Sequence, residues 1–158
     1  MNEEFPVHVM IKPEGLELFP DYLASQVHLL EALHGKGVSR KIRTILTLDE
    51  VDMIYPKGSL PEEVKRYLAQ SPTEHYFFHG GPLIYEQAKE MKGKYGLPVG
   101  VRSTLAKEVD RLGIKMEKWK NFIHTPDDET ETYSICSHFN TDIGVCQNCV
   151  ARPLCYRS

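Results

Sequence analysis

The chain has 158 residues, 41% of them hydrophobic and 26% charged, with a formal net charge of −3. That size and balance allow one domain with a full core, with or without a short appendage, and exclude a mainly disordered chain, a collagen-like fibre and a generally basic nucleic-acid binder. No stretch approaches the roughly eighteen apolar residues that a membrane helix needs. The acidic start Met1-Asn2-Glu3-Glu4 is unlike a secretory signal, so a cytoplasmic location is the expectation.

The first predicted element is a strand over 7–11, where Val7, Val9 and Ile11 alternate with His8 and Met10 before Pro13 and Gly15 stop it. A helix is expected over 21–36, with Leu23, Val27 and Leu30 at helical spacing and Gly35 and Gly37 at its end. Ile42, Thr44, Leu46 and Leu48 predict a second strand over 40–48. Two short helices, broken at Pro56-Lys57-Gly58, fill the stretch from Leu48 to Gln70. An aromatic strand follows over 75–79, then helices over 83–93 and 103–112. Residues 121–124 read as a last strand, and Thr125-Pro126-Asp127-Asp128 as a capped helix start.

This order contains a βαββαβ unit. The predicted fold is therefore α+β and ferredoxin-like: a four-stranded antiparallel sheet with helices 21–36 and 83–93 on one face. There are no internal repeats. Residues 89–120 hold nine Lys or Arg against four Asp or Glu, while Asp127, Asp128, Glu129 and Glu131 form an acidic cluster. A basic segment of that kind is either a solvated helical face or a surface turned towards a small anion such as a nucleotide phosphate.

All four cysteines, Cys136, Cys146, Cys149 and Cys155, follow Ile135. The central C-x-x-C pair has the spacing with which two thiolates grip one metal ion. Four thiolates suit tetrahedral Zn²⁺, with His138 as a spare ligand; an iron–sulfur cluster or free thiols are the other readings. Residues 141–158 are too few for a core of their own, and a metal staple would order them. The tail has Arg152 and Arg157 against Asp142, too little charge for a nucleic-acid knuckle.

Met10-Ile11-Lys12-Pro13-Glu14-Gly15 and Asn121-Phe122-Ile123-His124-Thr125-Pro126-Asp127 together resemble the nucleoside diphosphate kinases. That family opens with a strand running into Lys-Pro-Asp-Gly and closes with Asn-x-x-His-x-Ser-Asp, whose histidine carries the phosphate. The resemblance covers residues 7–135 and divides the chain into a kinase-like domain, 1–140, and a Cys-rich tail, 141–158. Ala88-Lys89-Glu90-Met91-Lys92-Gly93 looks like the family's helix end, with Lys89 where an arginine reaches the phosphates. Arg102 is similar to the arginine of the following loop, and Tyr55 falls near the tyrosine that supports the histidine.

The resemblance implies transfer of the γ-phosphate of ATP to a nucleoside diphosphate through His124, with Mg²⁺ bridging the phosphates. It implies nucleotide contacts from Lys12, Tyr55, Lys89, Arg102 and Asn121, nucleoside di- and triphosphates as partners, and a homo-oligomer. The residues suit that chemistry. Phosphoryl transfer needs positive charge around the phosphates and a nucleophile held in line. Lys12 projects from a strand end, Arg102 offers a planar fork, and a neutral imidazole is nucleophilic. The predicted helix start places a positive helix end one residue beyond His124.

The sequence departs from the family at Tyr95, where a threonine is usual, at Pro126 in place of a serine, and at Ile135, where a glutamate orients the histidine ring. An insertion at about 103–118 separates Arg102 from Asn121 more widely, and its Arg111, Lys115, Lys118 and Lys120 offer charge for a rebuilt phosphate clamp. The alternatives are a catalytically weak nucleotide-binding or regulatory module on the same fold, or a metal-stapled interaction protein on a kinase-like scaffold.

Overall fold

Alternation in the first strand sets the layering. In β1 (Phe5–Ile11), Val7, Val9 and Ile11 enter one core and Met10 enters another, as the two-residue period of a strand requires. The computed structural model describes residues 3–55, 58–93 and 99–139. It pairs β1 with β3 (Thr73–Gly80) from Phe5 opposite Gly80 to Ile11 opposite Glu74. Beside β3 lies β2 (Gly35–Thr44), and beside β1 lies the two-residue β4 (Ile123–His124), so the strand order is β2-β3-β1-β4 with all neighbours antiparallel. This is the expected ferredoxin-like sheet.

Crossover helices α2 (Pro20–His34) and α5 (Ile84–Lys92) lie together on the first face, where Leu23, Val27, Leu30, Ile84 and Ala88 surround Val7, Val9 and Ile11. α6 (Val101–Arg111), the expected extra helix, adds Leu105 and Val109. The second face is covered as well. α3 (Leu48–Ile54), α4 (Glu62–Leu68) and α7 (Glu129–Phe139) bury Val51, Ile54, Val64, Leu68 and Ile135 around Met10 and Phe77. The aromatic run of β3 is buried along its whole length because it feeds both cores.

Several boundaries differ from the sequence reading, the opening of β2 at Gly35 rather than at 40 among them, and three have a local reason. β2 ends at Thr44, because Thr47 and Glu50 form a capping box that opens α3; Glu50 N–H donates to Thr47 Oγ1 at 3.1 Å and Thr47 N–H to Glu50 Oε1 at 2.9 Å. Pro13 stops β1 as expected but also opens a short helix, α1 (Pro13–Leu18), with proline in its first turn. The last helix starts at Glu129 rather than at Pro126, since Asp128 and Glu131 supply a competing cap: Glu131 N–H donates to Asp128 Oδ1 at 3.2 Å, and Asp127 N–H to Glu131 Oε2 at 2.7 Å. Thr125 Oγ1 is buried with no hydrogen-bond partner among the described residues. The expected positive helix end directly beyond His124 is therefore displaced. Among the described residues, no helix is long and apolar enough to cross a membrane.

A buried histidine pair lies on the second face. His8 Nε2 and His75 Nδ1 are 2.8 Å apart, and His75 Nε2 is 2.6 Å from Thr73 Oγ1. Burial holds the His75 basicity down to about 4, and burial, with the repulsion that a protonated His75 would add, holds His8 well below the usual imidazole range. Both rings are thus neutral in the folded protein, whereas in the unfolded chain they take up protons near pH ~6.5. Below that pH the unfolded state binds more protons, so stability is full above about 6.5 and falls as pH drops towards about 4. For His75 alone the loss is on the order of 3 kcal/mol. Urea unfolding at about pH 7.5 and about pH 5 measures it, and His75→Gln is expected to flatten the dependence.

Candidate active site

Lys12 is the residue between β1 and α1, on the same side of the strand as His8 and Met10. It is 6% exposed, and its Nζ donates to Asn121 Oδ1 at 2.5 Å while lying 5.9 Å from the centre of the Tyr55 ring. Burial first, and then the charges of Arg102 and Lys92, lower its basicity to about 8; Glu14 acts in the opposite direction.

His124 sits in β4 opposite Met10. Its ring centre is 4.5 Å from that of Tyr55, at an interplanar angle of 51°. Burial, followed by the charges of Lys12, Lys92 and Arg102, holds His124 well below the ordinary imidazole range, so the ring is neutral. Tyr55 ends α3, and its buried hydroxyl has no hydrogen-bond partner among the described residues. Burial makes it a weaker acid than an ordinary phenol.

Arg102, in the first turn of α6, donates from Nη2 at 2.8 Å and from Nε at 3.3 Å to the Ile123 carbonyl, one residue before His124. Burial lowers its basicity, with Tyr55 and Glu14 opposing. Lys12 is joined twice to the 121–122 segment, since its backbone N–H also donates to the Phe122 carbonyl at 2.9 Å. Gly15 makes this approach possible. A Cβ there would stand 2.8 Å from the Phe122 carbonyl oxygen and 2.6 Å from Leu23 Cδ1.

The structure thus gathers Lys12, Tyr55, Arg102, Asn121 and His124. Lys89 is turned to the acidic cluster, its Nζ 3.3 Å from Asp127 Oδ1. Lys92, one turn further along α5, is the cation whose charge acts on Lys12, Arg102 and His124. Sequence reading passed over it, although the i, i+3 spacing from Lys89 places both on one side of α5. Glu14, given no role from sequence, accepts the Tyr67 hydroxyl at 2.8 Å and the Phe122 N–H at 3.1 Å.

The departures have structural counterparts. Ile135 is fully buried in the second core with Met10 and Phe77, so this position presents no group to the His124 ring. Glu131 is committed to the start of α7, and among the described residues no side chain hydrogen-bonds the His124 imidazole. In the inserted stretch, Arg111 pairs with Glu108 and Lys120 with Glu117, and Lys120 lies 4.8 Å from the centre of the Tyr67 ring. Tyr95 lies outside the described residues, as do Cys146, Cys149, Cys155 and the whole of 141–158. Of the expected metal ligands only Cys136 is described, buried in α7, and the spare ligand His138 contacts Glu50 Oε2 at 2.8 Å. No group of three or more possible metal ligands is gathered among the described residues.

No protein-family model matches the chain, and no curated protein sequence matches it. Solved structures do. A nucleoside diphosphate kinase family protein from Babesia bovis superposes with a TM-score of 0.64 at 15% identity, covering 87% of this chain and 88% of its own. The nucleoside diphosphate kinase of Encephalitozoon cuniculi gives 0.62 at 15% identity, over 88% and 90%. That of Borrelia burgdorferi, a transition-state mimic with bound vanadate and ADP, gives 0.63 at 15% identity, over 90% of each chain. The likeness establishes the fold over nearly the whole length of those enzymes.

Proposed function

We propose that this chain, which has the nucleoside diphosphate kinase fold, is a phosphotransferase that moves the γ-phosphate of ATP to a nucleoside diphosphate through His124. The observation that carries the reading is Lys12. It is a lysine only 6% exposed whose direct side-chain partner is a neutral amide oxygen rather than a carboxylate, next to a neutral imidazole. With Arg102 and Lys92 it makes a cluster of cations in which the one buried carboxylate, Glu14, is already engaged by Phe122 and Tyr67. A phosphate chain supplies the missing negative charge.

In this reading a ring nitrogen of His124 attacks the γ-phosphorus, an N–P bond forms, and the bond to the β,γ-bridging oxygen breaks to release ADP. The terminal oxygen of a nucleoside diphosphate then attacks the same phosphorus and frees the histidine. Lys12 and Arg102 bind and orient the phosphates, and Tyr55 packs against the ring to keep it in place. Asn121 is left to meet a phosphate oxygen or a ribose hydroxyl. These residues fit a Mg²⁺-bound nucleotide, because the metal needs only phosphate oxygens and water as ligands. Mg²⁺ would supply further neutralisation of phosphate charge. The family likeness extends the proposal to a homo-oligomer, which sedimentation in solution tests.

One observation favours a second reading, a nucleotide-binding module with slow transfer. With Ile135 in the core and no hydrogen bond on the His124 ring among the described residues, the nucleophile lacks the polar support that fixes its orientation, and lost orientation lowers rate more than affinity. A coupled assay of transfer from ATP to a nucleoside diphosphate, run beside calorimetric binding, separates the two.

Lys12 also predicts how nucleotide affinity depends on pH. Its basicity, about 8 in the free site, rises when phosphates bind beside it. Below about pH 8 the lysine is charged in both states and affinity is flat. Above it the free site has lost its proton, and affinity falls by up to about tenfold per pH unit. The nucleotide phosphates are fully ionised there and do not mask the effect. Dissociation constants between about pH 7 and about pH 9.5 test this, and Lys12→Arg is expected to flatten the curve because a guanidinium keeps its proton.

A further inference from the structure

Phe122 is the one non-glycine residue with positive φ among the described residues, at +75°. The Ile123 N–H donates to the Asn121 carbonyl at 2.9 Å, closing a three-residue γ-turn around Phe122. The positive-φ form of that turn is the strained one, and such strain persists only where surrounding contacts hold it. The Lys12 N–H holds the Phe122 carbonyl and Arg102 holds the Ile123 carbonyl. The remaining polar group of the turn, the Phe122 N–H, is taken by Glu14 Oε1 at 3.1 Å. Glu14 is itself only 2% exposed, and its other oxygen is fixed by the Tyr67 hydroxyl.

We infer that Glu14 is a positioning residue: its carboxylate clamps the Phe122 turn, and through that turn sets Asn121 and His124 relative to Lys12. The turn connects the two groups that matter. Asn121 immediately precedes Phe122 and bonds Lys12 Nζ, and His124 follows two residues later at the end of the same short segment. The structural part of this inference stands on the contacts alone. Its kinetic consequence rests on the proposed role of His124.

The same carboxylate also offsets the charges of Lys12 and Arg102, and two substitutions separate the roles. Glu14→Gln keeps an oxygen for the Phe122 N–H and turns its NH₂ towards the Tyr67 oxygen, so it removes charge and retains the clamp. Glu14→Ala removes both.

The experiment uses the full chain, with hydrogen exchange at the Phe122 amide and the NMR signals of the His124 ring read without nucleotide. Glu14→Ala is expected to speed Phe122 exchange by about tenfold or more and to shift the His124 ring signals, with Glu14→Gln close to wild type on both. In a second arm, phosphorylation of His124 by Mg²⁺-ATP is expected to slow by about a hundredfold in Glu14→Ala, with nucleotide affinity within about twofold, and to recover in Glu14→Gln. Wild-type exchange at Phe122 in Glu14→Ala overturns the clamp. So does Glu14→Gln matching Glu14→Ala in both arms, which assigns the effect to charge. If wild-type protein takes no label but Phe122 exchange responds as expected, the clamp stands and the phosphotransfer reading fails. Should Glu14→Ala not fold, adding Phe122→Gly is expected to restore folding, since glycine adopts positive φ without strain; no restoration overturns the proposal.

Discussion

His124→Ala protein is expected to take up no phosphate from Mg²⁺-ATP while binding nucleotide as tightly as the wild type. In the proposed reaction the imidazole supplies the nitrogen that attacks phosphorus, and nothing replaces it. Its neighbours in the site are three cations, Lys12, Lys92 and Arg102, and a tyrosine ring, none of them a nucleophile at neutral pH. Affinity is expected to survive because the proposed phosphate contacts come from Lys12 and Arg102, and the histidine would meet phosphorus closely only as the N–P bond forms. Removing the ring also relieves Lys12 and Arg102 of nothing, since His124 is uncharged. Labelling and calorimetry on the same preparation give both halves of the result. Tight binding with labelling intact would move the nucleophile to another residue.

Lys12→Ala is expected to damage binding and rate together, by about 2–4 kcal/mol in kcat/KM. In the proposed mechanism the ammonium serves the phosphates in the ground state and again as charge shifts in the transition state. It also holds Asn121 Oδ1 at 2.5 Å, so its loss frees a second binding group. Lys89→Ala provides the contrast. Lys89 pairs with Asp127 at a partly exposed position, and exposed pairs contribute about 0–1 kcal/mol. A large loss at Lys89 with a small one at Lys12 would place the phosphates nearer α5 than the geometry does.

The parts of this site that sequence made legible are those fixed by short-range rules. Alternation from Val7 to Ile11 puts Lys12 on the side of His8 and Met10, and the Lys-Pro-Glu-Gly run ends the strand at the right place. Arg102 falls in the first turn of a helix that the spacing of Leu105 and Val109 predicts. What was not legible depends on contacts between distant residues. The strain at Phe122 is visible only once Glu14, more than a hundred positions earlier, is seen bonded to its N–H. The family resemblance singles out Lys89, and only its pairing with Asp127 in the structure brings Lys92 forward instead. The start of α7 was misplaced because two caps compete within five residues, and the buried Thr125 side chain leaves Asp128 as the one used. Thr47-x-x-Glu50 has the capping-box pattern, which the alternation of Leu46 and Leu48 conceals.

The fold alone does not separate an active phosphotransferase from a nucleotide-binding relative. The second face of the sheet concentrates the difference. The usual orienting carboxylate gives way to Ile135 in the core, while the ring of His124 keeps its aromatic support from Tyr55 and its cationic surroundings. If those suffice, transfer proceeds through His124 with a reduced rate. If they do not, nucleotide binds and the chemistry stops there.

The most direct measurement is the phosphorylation state of wild-type protein mixed with Mg²⁺-ATP and no acceptor. About one phosphate per chain is expected at His124, stable in base, lost in acid because a protonated phosphoimidazole releases its phosphate, and discharged on adding a nucleoside diphosphate. Protein that binds ATP with no phosphate appearing on His124 would contradict it.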